Sequence, residues 1–244
     1  MELRDKTALI TGGGKRVGLA IAQTLAERGA NLILHYNKSH KEALKAQKNL
    51  SSLGVSVSLF QADLTNIPVL VKKTKKLLST SGPIHVLINN ASSFYPTPFG
   101  RISEKDWDTL VGSNLKGPFF LTQIIGQNMF KQAGGKIVNI GDWSSNRPYK
   151  DYLPYSIAKA GVIAMTQILA KTLAPKVQVN CVSPGAVLLP KTFGKKLRRE
   201  IIQKIPLGRI GNPEDIAQAV LFFLEGTDYA TGSNLIVDGG QFIR

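Results

Sequence analysis

A tyrosine and a lysine four residues apart, Tyr155 and Lys159, follow an aspartate, Asp142, that closes the apolar run Lys136 to Ile140. On a helix, positions four apart share one face, so the phenol and the ammonium stand one turn from each other. An ammonium beside a phenol favours the phenolate and makes the phenol a proton donor nearer neutral pH. A carboxyl group reaching the same point from a strand end adds a second proton-handling group. Tyr-x-x-x-Lys is common by chance, so its meaning depends on whether the chain also supplies a cofactor site.

The elements that must position these groups alternate strand with helix. Thr7 to Thr11 reads as an apolar strand running into the turn Gly12-Gly13-Gly14-Lys15-Arg16-Val17-Gly18, then into an amphipathic helix ending near Arg28. A glycine turn at a first strand–helix junction lets the backbone approach a pyrophosphate, and the helix start supplies N–H groups and the positive dipole end. The second strand, Asn31 to Tyr36, ends in Asn37-Lys38-Ser39. A site for NAD would be expected to carry an acid there for the ribose 2′-hydroxyl; a cation with hydroxyl and amide donors suits a 2′-phosphate, so NADPH/NADP+ is the expected cofactor. A third strand, Ser56 to Gln61, leads to Asp63 and Leu64, the acid placed for an adenine amino group.

After a lysine-rich helix over Pro68 to Ser79, the strand Ile84 to Ile88 opens into Asn89-Asn90-Ala91-Ser92-Ser93-Phe94-Tyr95-Pro96, a segment at the ligand-binding edge in which Phe94 could cover a flat ligand by stacking. Asp106 to Met129 reads as one long helix containing Asn114, which could belong to a proton route toward Lys159. The helix of Tyr155 and Lys159 runs on to about Leu173, the strand Val177 to Val182 leads to Ser183-Pro184-Gly185, and the Pro-, Gly- and Lys-rich stretch of about 186–209 is expected to act as a substrate lid. Helix Pro213 to Leu224 and strand Asn234 to Val237 close the chain. The pattern predicts one α/β domain over residues 1–244: a Rossmann-type, doubly wound parallel sheet of about seven strands with helices on both faces.

The chain's 244 residues, 43% hydrophobic, are enough for a sizeable core. Neither a signal peptide nor a membrane span is expected, no metal site is indicated, and the single cysteine, Cys181, forms no internal disulfide, which suits a reducing cytoplasmic setting. The formal net charge of +15 comes from cations spread along the chain without interleaved aromatics, so nucleic acid is not the expected partner.

Together the glycine turn, Asn89-Asn90-Ala91, Asn114, Tyr155/Lys159, Pro184-Gly185 and Asp238-Gly239-Gly240 resemble the short-chain dehydrogenase/reductase family over essentially the whole chain. Most of that family place Ser where this chain has Asp142, and Gly in the middle of the first turn where it has Arg16. Those departures, with His35 to Ser39 and Asn90 to Pro98, are similar to the pteridine reductase branch. That resemblance implies a pterin ring sandwiched between Phe94 and the nicotinamide, with Arg16, Ser92, Asp142 and Tyr155 near the ring. It places Lys159 at the nicotinamide ribose and Lys38 and Ser39 at the 2′-phosphate, with Asp63 and Leu64 at the adenine. Gly12, Lys15, Arg16, Val17, Tyr36, Asn37, Asn90, Ala91, Ser92, Tyr155, Pro184 and Gly185 line the rest of the cofactor site. It also implies a homotetramer whose contacts involve Asp106 to Met129 and Tyr155 to Leu173.

The expected reaction is hydride transfer from NADPH to a C=N bond of a dihydropterin or dihydrofolate, with the proton from Tyr155 or Asp142. The alternative is a 3-oxoacyl-(acyl-carrier-protein) reductase or another short-chain carbonyl reductase.

Overall fold

The computed structural model describes residues 1–189 and 193–243. Its strands are β1 (Thr7–Thr11), β2 (Asn31–Tyr36), β3 (Val57–Gln61), β4 (Val86–Asn89), β5 (Gly135–Ile140), β6 (Val177–Pro184) and β7 (Asn234–Val237). They form one sheet in the order β3-β2-β1-β4-β5-β6-β7, and every pairing is parallel. The sequence order reverses between β1 and β4, so the crevice beyond their C-terminal ends is the natural ligand site.

Among the described residues are eight α-helices, α1 (Arg16–Glu27), α2 (His40–Ser51), α3 (Ile67–Ser81), α4 (Glu104–Val111), α5 (Gly117–Lys131), α6 (Leu153–Leu173), α7 (Lys195–Gln203) and α8 (Pro213–Leu221); helices cover both faces, while α7 buries none of its residues. A parallel sheet covered on both sides needs strands that are apolar at consecutive positions rather than alternately. β1 and β5 meet that need, and all six residues of β5 are buried. Ile10 and its neighbours on one face pack against Ile21 and Leu25 of α1 and Ile216 and Val220 of α8. Leu9 points the other way, toward Leu70 of α3, Leu121 and Ile125 of α5 and Leu173 of α6. Each fully buried Leu or Ile contributes about 1.5–3 kcal/mol to holding these layers together.

Polar side chains cross the sheet at one level. Asn89 and Asn139 are register partners on β4 and β5. Asn89 Nδ2 donates to Asn139 Oδ1 at 2.8 Å and to Thr122 Oγ1 of α5 at 2.8 Å, while Asn139 Nδ2 donates to Thr166 Oγ1 of α6 at 2.9 Å.

The expected helix over Asp106 to Met129 is not continuous. It begins at Glu104, capped by reciprocal bonds between Ser103 and Asp106, and is broken by a π-turn over Gly112–Lys116 before α5 starts. The turn carries Asn114 and passes close to the loop after β3. A Cβ on Gly117 would collide with the carbonyl oxygen of Leu64, so glycine permits the approach. The helix expected over Pro213 to Leu224 likewise gives way to a π-turn, Phe222–Gly226. The stretch expected to act as a lid, about 186–209, contains the helix α7; residues 190–192 of it lie outside the described residues.

α6 is long and apolar enough, at 21 residues and a mean hydropathy of 1.2, to cross a membrane by length and composition alone. Here it packs against β6, with Pro154, Tyr155, Ser156, Ala158, Lys159 and Val162 buried, as a core helix.

Candidate active site

The C-terminal ends of β5 and β6, the start of α6 and the loop after β4 converge beside the β1/β4 crevice. Asp142 lies two residues past β5 in extended backbone and caps the short turn Trp143–Ser145, its Oδ1 accepting from Ser144 N at 2.8 Å. Its other oxygen, Oδ2, accepts the Tyr155 hydroxyl at 2.5 Å. Tyr155 and Lys159 are 5% and 3% exposed, and the Lys159 Nζ lies 5.8 Å from the centre of the Tyr155 ring while donating to Ile140 O at 2.7 Å.

The electrostatics differ from the sequence expectation. Burial, then the Asp142 charge and the hydrogen bond to it, hold the Tyr155 phenol well above its ordinary value. Lys159 is directed at a backbone carbonyl rather than at the phenol oxygen, and its own pKa is lowered by burial, partly offset by Asp142. In this arrangement Tyr155 keeps its proton and is bound by a carboxyl group; it is not a phenolate held by an ammonium.

Phe94 is 44% exposed at the mouth of this corner. It stacks on Tyr152, ring centres 4.5 Å apart and 8° from parallel, and meets Tyr155 edge-on at 4.8 Å and Tyr149 at 6.2 Å. Trp143 Nε1 donates to the Tyr149 hydroxyl at 2.7 Å. The two loops are joined by backbone pairing of Thr97 with Tyr152, Thr97 N donating to Asp151 O at 2.7 Å. Trp143, Tyr149 and Tyr152 were not among the residues singled out in the sequence. The signal was there, as four aromatic residues within the thirteen from 143 to 155, but which rings meet depends on loop geometry.

Asn114 binds its neighbours rather than Lys159. Its Nδ2 donates to Leu110 O at 2.8 Å and Ser93 O at 2.9 Å, and its Oδ1 accepts from Ser92 Oγ at 2.7 Å. It therefore ties the Ser92–Ser93 loop to the π-turn, and it lines with Lys159, Asn89 and Asn139 a small enclosed space under the site.

On the nucleotide side, Gly12 has φ +65°, and a Cβ on Gly18 would fall on the Gly12 carbonyl and against Asn90. Asn90 Nδ2 donates to Thr11 O at 2.8 Å, and Thr11 Oγ1 accepts from the N–H groups of Asn90 and Ala91. Lys15 caps α1 without a side-chain bond to the helix, and a helix start offers N–H groups and a positive dipole end to an anion. Lys15 Nζ donates to Ser39 Oγ at 2.9 Å, so the glycine turn and the loop after β2 meet. Arg16 has the left-handed φ of +54° and donates through Nη2 to Leu188 O at 3.1 Å, fastening the start of the expected lid to the turn.

At the far end of the crevice, Asp63 is held below the usual carboxylate range. Burial opposes ionisation, but bonds from Thr65 and Asn37 and the Lys38 charge outweigh it. Pro184 and Gly185 end β6 beside Asp238, and a Cβ on Gly185 would strike the Asp238 backbone. The close approaches at Gly12 and Gly18, at the switch point of the sheet, fit a dinucleotide.

A parallel Rossmann-type sheet, a glycine turn at its switch point and a Tyr/Lys pair beyond β5 define a nucleotide-dependent oxidoreductase. The chain belongs to the short-chain dehydrogenase/reductase family. A family model described as enoyl-(acyl carrier protein) reductase matches residues 14–241. The 3-oxoacyl-(acyl-carrier-protein) reductase FabG of Thermotoga maritima is 35% identical, with 100% of both chains covered, and the enzyme of that name from Chlamydia trachomatis is 32% identical over 98% of both. An NAD-dependent glycerol dehydrogenase from Listeria innocua is 34% identical over 99% of this chain and 96% of its own. A crystal structure described as that of a short-chain alcohol dehydrogenase from Sinorhizobium meliloti superimposes with a TM-score of 0.93 at 28% identity, covering 99% of this chain and 98% of the other.

These relatives overturn the expected reduction of dihydropterin or dihydrofolate. Full-length relatives at 31–35% identity carry the name 3-oxoacyl-(acyl-carrier-protein) reductase, which is the alternative reading. Asp142, Arg16 and Phe94 persuade toward a pterin only as a set of side chains at a loop-built mouth. Such side chains vary without changing the fold, and here Tyr152 already covers one face of Phe94.

Proposed function

We propose that the protein is an NADPH-dependent carbonyl reductase whose substrate class is the 3-oxoacyl thioester. The observation that carries this reading is the Tyr155 hydroxyl, buried, protonated and held 2.5 Å from Asp142 with Lys159 one turn behind it. The nicotinamide, when bound, supplies hydride to the carbonyl carbon. Tyr155 gives its proton to the carbonyl oxygen as that oxygen becomes basic. A phenolate left beside the Asp142 carboxylate would be repelled, so Tyr155 takes a replacement proton from solvent before the next turnover. Lys159 stabilises the negative charge that passes through this corner.

The cofactor preference is supported by the Lys15–Ser39 contact, by Lys38, and by the lack of an acid at the end of β2. The buried thiol of Cys181 accords with a cytoplasmic setting. A homotetramer would cover Trp107, Phe119, Ile157 and Ile168, which are 39–64% exposed on the helices expected to make subunit contacts.

The test is NADPH oxidation with an acetoacetyl thioester and, separately, with dihydroxyacetone. Turnover of the thioester is expected. Turnover of dihydroxyacetone alone would replace this reading with the polyol chemistry named for the Listeria relative.

A further inference from the structure

His35 is a histidine inside the sheet with no part in the chemistry above. It lies on β2 in register between Thr11 of β1 and Phe60 of β3, 2% exposed, with its ring against that of Phe60 at 5.8 Å. Both ring nitrogens are engaged by backbone. Nδ1 receives the N–H of Gly12 at 3.3 Å, and Nε2 lies 3.0 Å from the carbonyl oxygen of Ala62. The amide can only donate and the carbonyl can only accept, so the ring must be neutral, with its hydrogen on Nε2. Burial agrees, lowering the imidazole to about 4 against weaker opposing effects from the Ala62 bond and Asp63.

The two groups it joins belong to different parts of the cofactor site. Gly12 starts the turn for the pyrophosphate, and Ala62 immediately precedes Asp63 and Leu64 at the adenine end. Gly12 is already held on its other side, where Asn90 Nδ2 lies 3.4 Å from its carbonyl oxygen. With its own N–H taken by His35, Gly12 offers no donor to the pyrophosphate and serves to aim the N–H groups that follow it.

We propose that His35 is a positioning residue for the dinucleotide: through the Gly12 N–H and the Ala62 carbonyl it sets the glycine turn and the adenine loop at a fixed separation, so that both ends of the cofactor are received together. This rests on nicotinamide dinucleotide binding, not on the identity of the carbonyl substrate.

The two bonds can be removed separately. In His35→Asn the amide oxygen falls near the position of Nδ1 and can still accept from Gly12. In His35→Gln the amide nitrogen falls near Nε2 and can still donate to Ala62. His35→Leu keeps bulk and loses both. NADPH and NADH dissociation constants, by fluorescence titration, and the melting temperature are measured for all four proteins. The dissociation constant is expected to rise about fivefold to tenfold in both His35→Asn and His35→Gln, the size of effect one lost hydrogen bond gives, and further in His35→Leu. Wild-type affinity in His35→Leu, or affinities in the Asn and Gln variants that merely follow their melting temperatures, would overturn the proposal. If His35→Leu does not fold, the Asn/Gln pair decides alone. A wild-type preference for NADH would refute the NADPH reading, while the order of the variants would still test His35.

Discussion

The two ends of the binding crevice are built from different materials. At the nucleotide end the geometry is set by backbone: the left-handed Gly12, the contact of Gly18 with the Gly12 carbonyl, and side chains such as Thr11 and Asn90 that bond main-chain groups. At the substrate end it is set by rings on two loops, with Phe94, Tyr149 and Tyr152 packed around the Asp142–Tyr155 pair. A backbone cradle admits few replacements, because an added Cβ has nowhere to go. A ring cluster can be rewritten one side chain at a time while the sheet stays as it is. Relatives of nearly equal identity bear the names of an oxoacyl reductase and a glycerol dehydrogenase.

Substitutions at the two ends should therefore separate chemistry from cofactor binding. Tyr155→Phe removes the proton donor without touching the cradle; kcat is expected to fall by about 10²–10⁴ while the NADPH dissociation constant stays within about twofold, read by stopped-flow reduction and fluorescence titration. A comparable loss of NADPH affinity would erase the distinction. Gly18→Ala should do the reverse. Its Cβ collides with the Gly12 carbonyl, and strain of about 1–3 kcal/mol predicts NADPH binding weaker by about fivefold or more and a lower melting temperature.

Lys38→Asp tests the 2′-phosphate reading within the cradle, and the NADPH-to-NADH ratio of kcat/KM should drop about tenfold or more. An unchanged ratio would remove Lys38 from the phosphate site. Phe94→Ala should have a smaller effect, raising KM for the thioester about threefold to tenfold and leaving NADPH affinity alone.

The gentlest probe is pH. His35 has a folded pKa of about 4 against an ordinary 6.5. The unfolded chain therefore takes up a proton on this residue below 6.5 that the folded chain refuses until about 4. Stability from this group is complete above 6.5, falls as the pH drops through that window, and loses no more below 4, by at most about 3 kcal/mol. Urea midpoints at pH 7 and pH 5 should differ more in wild type than in His35→Asn; equal differences would contradict the shift.

The sheet and the first turn were the readable parts. Apolar runs gave the strands to within about two residues, and glycine spacing marked the turn, because backbone requirements restrict residue type at each position. The π-turn over Gly112–Lys116 was not readable; beside it Gly117 passes close against Leu64, a contact between residues far apart in sequence. The direction of the Tyr155 shift was missed for a related reason. The spacing from Tyr155 to Lys159 says that they share a helix face, but only the fold shows that Lys159 bonds Ile140 O and that Asp142 takes the phenol hydrogen. The pterin expectation rested on side chains of loops, and the names of the full-length relatives overturn it.

The Asn89–Asn139 pair has a consequence for how the sheet assembles. Successive side chains on a strand face opposite ways, so sliding β4 past β5 by one residue would turn one amide away from the other. Asn89 would lose Asn139, and Thr122 or Thr166 would be left facing hydrocarbon, each orphaned polar group costing roughly 1–3 kcal/mol. Oily strands such as these match almost as well in a shifted alignment as in the native one. The pair of amides thus acts as a proofreading key for the centre of the sheet, accepting one alignment of β4 on β5 and penalising its nearest neighbours.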